Sequence, residues 1–147
     1  MTNPIDIRAV TPEVYSAMVT FDATAAGGLP TALAELVRLR ASQLNGCSFC
    51  CHLHTRQALD AGEDPRRLAD LPGWRESALF DPAERAALGL TEHVTLLANG
   101  RVPAEAFDEA AAHFTDTELT HLLWTIAAIN AWNRIACLTY WQRPPAT

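Results

Sequence analysis

The stretch from Asn45 to His54, NGCSFCCHLH, concentrates thiols and imidazoles in one short segment. It contains three cysteines and two histidines. A cysteine thiolate is a nucleophile and a metal ligand, and histidine exchanges protons near neutral pH. Four roles fit such a cluster: a metal site, a structural disulfide, a redox pair, or small buried side chains without chemistry. The cellular compartment and the element that carries the cluster decide among them.

The composition predicts one globular domain in a reducing compartment. The chain has 147 residues, of which 49% are apolar and 19% charged, and its formal net charge is −6. No apolar run approaches the roughly 20 residues needed to span a bilayer. The N-terminal sequence MTNPIDIRAVTPE lacks the basic start and apolar stretch of a secretory signal. We therefore expect a cytoplasmic protein, where structural disulfides are rare. The acidic balance argues against nucleic acid and anionic membranes as partners.

The segments on either side of the cysteine cluster have helical patterns. A helix is expected to begin near Pro30, with apolar residues at three-to-four spacing up to Leu44. Asn45-Gly46 ends it, because glycine tolerates the left-handed conformation. A second helix is predicted from about Cys47 to Ala61, and Gly62 ends it.

The remaining helices are indicated by their first residues. The expected starts are Asp64-Pro65, Asp81-Pro82 with Glu84, Pro103, and Thr115 with Glu118. Asn99-Gly100 is expected to end the second of these helices. No segment shows the alternation of a strand, and no individual helix is defined before Leu29. The sequence thus predicts a single all-α domain over residues 1–147.

The apolar residues of the last helix cover more than a single 100° stripe of its surface. Its apolar residues are Leu119, Leu122, Leu123, Ile126, Ile129, Ala136 and Leu138. Either a central core helix or a self-association interface accounts for this pattern, and both possibilities stay open. Asn130 and Asn133 would be buried polar groups in a structural network. The four tryptophans are expected as core or interface anchors: Trp74, Trp124, Trp132 and Trp141.

The cysteine cluster falls at the start of the second predicted helix. Cys47 lies at or near the N-cap, and Cys47, Cys50 and His54 fall within about 60° of one another on one helical face. The unpaired N–H groups of a helix N-terminus stabilise a thiolate. His54 follows Cys50 by four residues, a spacing at which it can accept the thiol proton. Two cysteines at this spacing can also close a small redox-active disulfide.

A metal site and a purely structural role fit the cluster less well than redox chemistry does. A structural zinc site needs four ligands, usually in two cysteine pairs, whereas the distant Cys137 stands alone. A zinc site formed by Cys47, Cys50 and His54 with one open position is the remaining metal alternative. Cys51 and Cys137, taken singly, fit small buried residues. We therefore favour redox chemistry at Cys47 and Cys50, with no metal and no cofactor.

A family resemblance rests on the residues around this cluster. In ELVRLRASQLNGCSFCCHLH, eleven residues separate Glu35 from Cys47, two separate Cys47 from Cys50, and three separate Cys50 from His54. This resembles the E-x11-C-x-x-C-x3-H signature of the AhpD-like alkyl hydroperoxidases in the carboxymuconolactone decarboxylase superfamily. INAWNR in the last helix resembles small single-domain members. The resemblance implies an AhpD-like all-α fold assembled as trimers or hexamers, with the motif helix near a subunit contact.

The resemblance also implies roles for four residues. Cys50 would be the peroxidatic thiolate that attacks a hydroperoxide, and Cys47 would resolve the sulfenic acid as a disulfide. Glu35 and His54 would form the proton relay. The implied reductant is an external dithiol, either a lipoyl-bearing protein or a thioredoxin-like donor. The alternatives are a disulfide reductase or redox sensor without peroxidase turnover, and a zinc-binding oligomeric protein.

The sequence departs from the family pattern beside Cys50. The characterised hydroperoxidases have a histidine immediately before the second cysteine, where this chain has Phe49, and Cys51 is an extra thiol that could compete as resolver. Decarboxylation of a muconolactone is not expected, because that branch lacks the cysteine pair. The mostly uncharged neighbours of Glu35 on its helix predict a raised carboxyl pKa. The alternative for Glu35 is an exposed acid paired with Arg38.

Overall fold

The computed structural model describes residues 5–139, and these residues form helices without any strand. Eight α-helices follow one another: α1 (Ile7–Val10), α2 (Pro12–Ala26), α3 (Thr31–Leu44), α4 (Ser48–Asp60), α5 (Pro65–Asp70), α6 (Pro82–Thr95), α7 (Ala104–Ala111) and α8 (Asp116–Leu138). Short 3-10 turns lie at Leu71–Gly73 and Leu97–Asn99. The all-α prediction is confirmed. Within the described range, none of the helices combines the length and the apolar character that crossing a bilayer requires.

The predicted helix starts are mostly confirmed by capping contacts. The side chain of Asp64 accepts a backbone N–H bond at the start of α5. Asp81 with Glu84, and Thr115 with Glu118, form complete capping boxes at the starts of α6 and α8. These contacts satisfy N–H groups that no residue of the helix itself can pair.

Two boundaries differ from the sequence prediction, and two helices were not predicted individually. The α6 helix ends at Thr95 rather than at Asn99-Gly100, and a separate 3-10 turn covers Leu97–Asn99. Pro103 is the N-cap of α7 instead of its first helical residue. The α1 and α2 helices have no individual counterpart in the sequence prediction. Of the α2 side chains only that of Ala25 is buried, and the apolar residues of this helix are not confined to one face.

The core lies around α3 and α8. The α3 helix packs against α4, α6 and α8, and Val37, Leu122 and Ile126 meet in its main apolar cluster. A second cluster joins α3 to α6 and to the loop between α5 and α6 through Leu36, Leu71, Trp74, Phe80 and Leu88. Burying these side chains stabilises the fold by about 1.5–3 kcal/mol for each large apolar residue.

The α8 helix is a core helix with an exposed apolar edge. Leu119, Leu122, Ile126, Ile129 and Ala136 are buried as expected, and Leu123 is partly buried. Leu138, which the apolar pattern placed with them, is 76% exposed, and Trp124 is 53% exposed. Of the two alternatives that the sequence left open, the core helix is therefore correct for most of the stripe, and the exposed side chains leave an apolar surface on the isolated chain. Trp141 lies outside the described residues.

A partly buried network of amide side chains fixes the turn between α3 and α4. Gly46 has φ +67°, the left-handed conformation that was expected to end α3. The Nδ2 atom of Asn45 donates to Oδ1 of Asn130 at 3.0 Å and to Oδ1 of Asn133 at 2.8 Å. Asn133 in turn donates to Oγ of Ser42 at 3.0 Å. The predicted structural role of these asparagines is confirmed, and α8 thereby holds the residues that precede Cys47.

Candidate active site

Cys47 and Cys50 are brought together by the first turn of α4. Cys47 is the N-cap, and its sulfur accepts the backbone N–H of Cys50 at 3.3 Å. The two Cα atoms lie 5.3 Å apart and the sulfur atoms are at disulfide-bonding distance. Ala136 of α8 packs against both residues, and both are buried. The pair can therefore form a disulfide without movement of the backbone.

His54 lies one turn after Cys50 on α4 and contacts α3 through Glu35. Its Nδ1 atom is 2.7 Å from Oε2 of Glu35, and both side chains are buried. An ionised carboxylate can only accept hydrogen bonds, so Nδ1 carries the proton in this contact. In a neutral imidazole this leaves Nε2 with a free lone pair, which is the form that can accept a proton from a thiol.

Glu35 is more strongly ionised than the sequence predicted. Its burial pushes the carboxyl pKa upward, but the hydrogen bond and charge of His54, together with the charge of Arg38, outweigh burial and hold the pKa below its usual value. The prediction of a raised pKa was therefore wrong. The alternative was partly right, because Nη1 of Arg38 donates to Oε1 of Glu35 at 2.7 Å, but the acid is 4% exposed rather than on the surface.

Arg38 also binds a residue of α2. Its Nη2 atom donates to the Oδ1 atom of Asp22 at 2.9 Å and to the backbone oxygen of Asp22 at 3.3 Å. The guanidinium thus holds one carboxylate on each of two helices. Neither Asp22 nor Arg38 was a candidate site residue in the sequence, although the spacing of Arg38 from Glu35 indicated their pairing.

A pocket of about 590 Å³ opens beside Cys50 and His54, and both residues line it. Its apolar wall consists of Tyr15, Val19, Phe49, Leu53 and Trp132, and the remaining lining residues are Arg8, Asp22, Arg38 and Gln57. Among the described residues that line it Cys50 is present and Cys47 is not. A molecule in the pocket would therefore meet Cys50, with Cys47 behind it.

The four predicted site residues are thus neighbours. The pocket beside them could not be predicted from the sequence. Glu35 and His54 share a hydrogen bond, Cys47 and Cys50 lie sulfur to sulfur, and Cys50 shares a pocket wall with His54. The α2 residues of the wall gave no signal in the sequence. Trp132 was expected to be a core or interface anchor, whereas it lines the pocket and stacks edge-on with Tyr15 at a centroid distance of 5.6 Å.

The other two cysteines differ from the pair. Cys51 is half-buried against the second apolar cluster, and Cys137 is exposed, so the expectation of a small buried residue fails for Cys137. Burial raises the pKa of the Cys51 thiol, and the nearby Cys137 raises it further. The fraction of Cys51 present as thiolate at neutral pH is correspondingly small.

The structure offers no support for the zinc alternative in its described part. Within residues 5–139, no three or more histidine, cysteine or acidic side chains converge in an arrangement able to hold a metal ion. His52 is exposed, whereas His54 already uses Nδ1 to bind Glu35.

Comparisons with known proteins agree with this fold and cluster. The sequence model of the carboxymuconolactone decarboxylase family matches residues 12–93. The uncharacterised protein YdfG of Bacillus subtilis is 34% identical over 137 residues, which cover 92% of this chain and 93% of that protein.

Two solved structures share the fold. A protein of unknown function from Agrobacterium tumefaciens, whose name relates it to the antioxidant defence protein AhpD, superposes with a TM-score of 0.92. It is 34% identical, with 99% of this chain and 100% of that chain covered. A peroxidase-related protein with an alkylhydroperoxidase AhpD core from Ralstonia eutropha has a TM-score of 0.81 at 20% identity, covering 94% of this chain and 74% of its own. The chain therefore belongs to the carboxymuconolactone decarboxylase family, as an AhpD-like member.

Proposed function

We propose that this protein is a thiol-dependent peroxidase that reduces hydrogen peroxide or organic hydroperoxides through Cys47 and Cys50. The observation that carries the proposal is the shared pocket wall of Cys50 and His54, with Cys47 at disulfide distance behind Cys50. The name of the Agrobacterium neighbour, which refers to antioxidant defence, supports the same class of activity.

The proposed chemistry uses one proton acceptor and two thiols. His54 accepts the proton of Cys50, and the thiolate attacks one oxygen of the hydroperoxide. The O–O bond breaks, Cys50 becomes a sulfenic acid, and the leaving alkoxide takes the proton from His54. The Cys47 thiolate then attacks the sulfur of Cys50 and displaces hydroxide, which is protonated to water as the disulfide forms. An external dithiol, either a lipoyl-bearing protein or a thioredoxin-like donor, returns two electrons by exchange with this disulfide.

The assignment of Cys50 as the attacking thiol follows from access and from its partner. Cys50 lines the pocket and precedes His54 by one turn of the helix. The sulfur of Cys47 is turned toward the backbone N–H of Cys50. The helix N-terminus favours both thiolates, but only Cys50 combines access to the pocket with a neighbouring base.

Glu35 acts through His54 in this scheme. Its carboxylate accepts the Nδ1 proton of His54 and stabilises the imidazolium that forms when Cys50 ionises. Because Arg38 and His54 keep the pKa of Glu35 low, the acceptor stays ionised across the neutral range.

Peroxide consumption with several reductants tests the proposal. The reduced protein should consume cumene hydroperoxide or hydrogen peroxide catalytically when dihydrolipoamide or reduced thioredoxin is supplied. Cys50→Ser should abolish consumption, and Cys137→Ser, which removes an exposed thiol outside the pocket, should leave it unchanged. If the protein reduces disulfides in a model substrate but consumes no hydroperoxide with any donor, it is a disulfide reductase and the proposal is wrong.

A further inference from the structure

Two charged side chains on the pocket wall are not among the four residues to which the proposed thiol chemistry assigns a step. Asp22 of α2 and Arg38 of α3 line the pocket together with Cys50 and His54. Arg38 binds Oε1 of Glu35 through Nη1 and Oδ1 of Asp22 through Nη2, while Oε2 of Glu35 binds His54. The side chains of Asp22, Arg38, Glu35 and His54 thus form one continuous chain of contacts across α2, α3 and α4.

We propose that Arg38 and Asp22 are positioning residues for proton transfer from Cys50 to His54: Arg38 fixes the Glu35 carboxylate, and Asp22 restores the negative charge that Arg38 would otherwise cancel. The inference rests on the proposed function for the role of Cys50. The hydrogen bonds that join Asp22, Arg38, Glu35 and His54 are present in the structure whatever reaction Cys50 carries out.

The two oxygens of Glu35 are bound by different partners. Arg38 occupies Oε1 at 2.7 Å, which leaves Oε2 to accept the Nδ1 proton of His54 at 2.7 Å. A carboxylate held by only one partner could rotate, and the imidazole would then lose the contact that fixes its tautomer. Arg38 therefore keeps Nε2 of His54 as the proton-accepting atom.

The net charge around His54 changes when the proton moves. Glu35 and Arg38 alone cancel, so an imidazolium beside them would face a neutral pair. With Asp22 included, the three groups carry a net charge of −1. When the proton moves to His54, the network of Asp22, Arg38, Glu35 and His54 becomes neutral and the Cys50 sulfur carries the charge of −1. The side chains of Arg38 and Asp22 are only 11% and 23% exposed, so solvent screens this charge weakly.

The remaining ionisable groups that face the Cys50–His54 pair set the background for any pH measurement. They are Arg8 from α1, Tyr15 from α2 and Cys47 at the start of α4, whereas the α8 contribution to the wall is the uncharged Trp132. Arg8 and Tyr15 are unchanged in all variants that test the proposal, and Cys47 is replaced by serine in all of them.

The test follows the alkylation of Cys50 by iodoacetamide against pH. Reduced protein carrying Cys47→Ser is treated from about pH 5 to 9, and the modified Cys50 peptide is quantified by mass spectrometry. Asp22→Asn keeps the shape of the side chain and the backbone contact to Arg38, but removes the charge. We expect the midpoint of the profile to rise by about half a unit to one unit, or roughly three- to tenfold slower alkylation below the midpoint.

Arg38 variants test whether this side chain fixes the Glu35 carboxylate. Arg38→Gln should lower the alkylation rate at neutral pH, where the thiolate fraction of Cys50 depends on His54, and Arg38→Lys should recover part of that rate, because lysine keeps a charged donor. If Arg38→Gln does not fold, Asp22→Asn decides the proposal by itself. A rate equally low in the lysine and glutamine variants would contradict a positioning role.

Glu92→Gln is the matched control. Glu92 is also a poorly exposed acid bound by arginines, Arg40 and Arg75, but it does not line the pocket. Its loss should leave the midpoint unchanged. A midpoint in Asp22→Asn that equals that of the parent, or an equal shift in Glu92→Gln, would overturn the inference. Alkylation needs no peroxide, so a shifted midpoint in a protein that consumes no hydroperoxide would reject the proposed function and retain this inference.

Discussion

The Nδ1 atom of His54 lies 2.7 Å from Oε2 of Glu35, although the two residues are 19 positions apart and belong to different helices. This hydrogen bond joins α4, which begins at the Cys47–Cys50 pair, to α3, the helix at the centre of the fold. The protonation state of the buried Glu35 carboxylate therefore affects the orientation and the proton affinity of the His54 imidazole. Substitutions of either residue should therefore change the reactivity of that thiol.

Replacing either member of the pair should slow the reaction of Cys50 with peroxide at neutral pH. Glu35→Gln removes the charge that stabilises the imidazolium, and His54→Gln removes the proton acceptor. We expect roughly a 10²- to 10⁴-fold lower rate for His54→Gln and a smaller loss for Glu35→Gln. Stopped-flow measurement of sulfenic acid formation would show this, and sedimentation would show unchanged assembly. Rates equal to the parent rate in both variants would exclude the relay.

The low pKa of Glu35 predicts an acid-sensitive contribution to stability. A carboxyl group whose pKa is lower in the folded than in the unfolded state stabilises the protein above its ordinary value, near 4.5, and this contribution is lost as the pH falls through the folded-state pKa. Urea unfolding of the parent should therefore show a free energy of unfolding that decreases below about pH 5. The decrease should be shallower in Glu35→Gln, and an identical slope in both proteins would contradict the assignment.

Single substitutions of Cys50 and Cys47 should have different effects on the reaction with peroxide. Cys50→Ser should abolish reaction with peroxide, because Cys47 does not line the pocket. Cys47→Ser should allow one turnover and leave a trappable sulfenic acid on Cys50, unless Cys51 substitutes as resolver. A sulfenic-acid-specific probe followed by peptide mapping checks this. Label on Cys47 in the Cys50→Ser variant, with none on Cys50 in the reciprocal variant, would reverse the roles.

Mild oxidation should cost each chain two thiols. The Cα distance of 5.3 Å between Cys47 and Cys50 is within the range of a disulfide, so one bond within the chain should form without unfolding. Thiol titration before and after oxidation, followed by non-reducing peptide mapping, tests this. A disulfide from Cys50 to Cys137, or to a second chain, would be incompatible with it.

Self-association is expected from the apolar surface that the single chain leaves exposed. Val14, Val19 and Phe21 on α2, and Trp124 and Leu138 on α8, are all at least 36% exposed. Surfaces of this kind are commonly buried between subunits. Light scattering at micromolar concentration should give a native mass at least three times the 16.0 kDa of one chain. A monodisperse monomer would contradict the expectation, and Trp124→Glu should lower the mass if this surface is the contact.

The local elements around Cys47 and Cys50 could be predicted from the sequence because they depend on neighbouring residues. The left-handed Gly46, the N-cap position of Cys47 and the one-turn spacing to His54 follow from backbone periodicity and capping within a few positions. The same reasoning placed the capping boxes of α6 and α8 correctly.

Tertiary packing decided what surrounds those residues. Neighbours on its own helix predicted an uncharged environment with a raised pKa for Glu35, whereas the packing of α4 on α3 supplies His54. The pairing with Arg38, three residues further along the same helix, is local and was one of the alternatives that the sequence offered. Similarly, part of the pocket wall comes from α2, and the sequence pattern of this helix did not predict that its residues would line a pocket. Burial, ionisation and access are set by groups that are distant in sequence, so they emerge only when the helices pack.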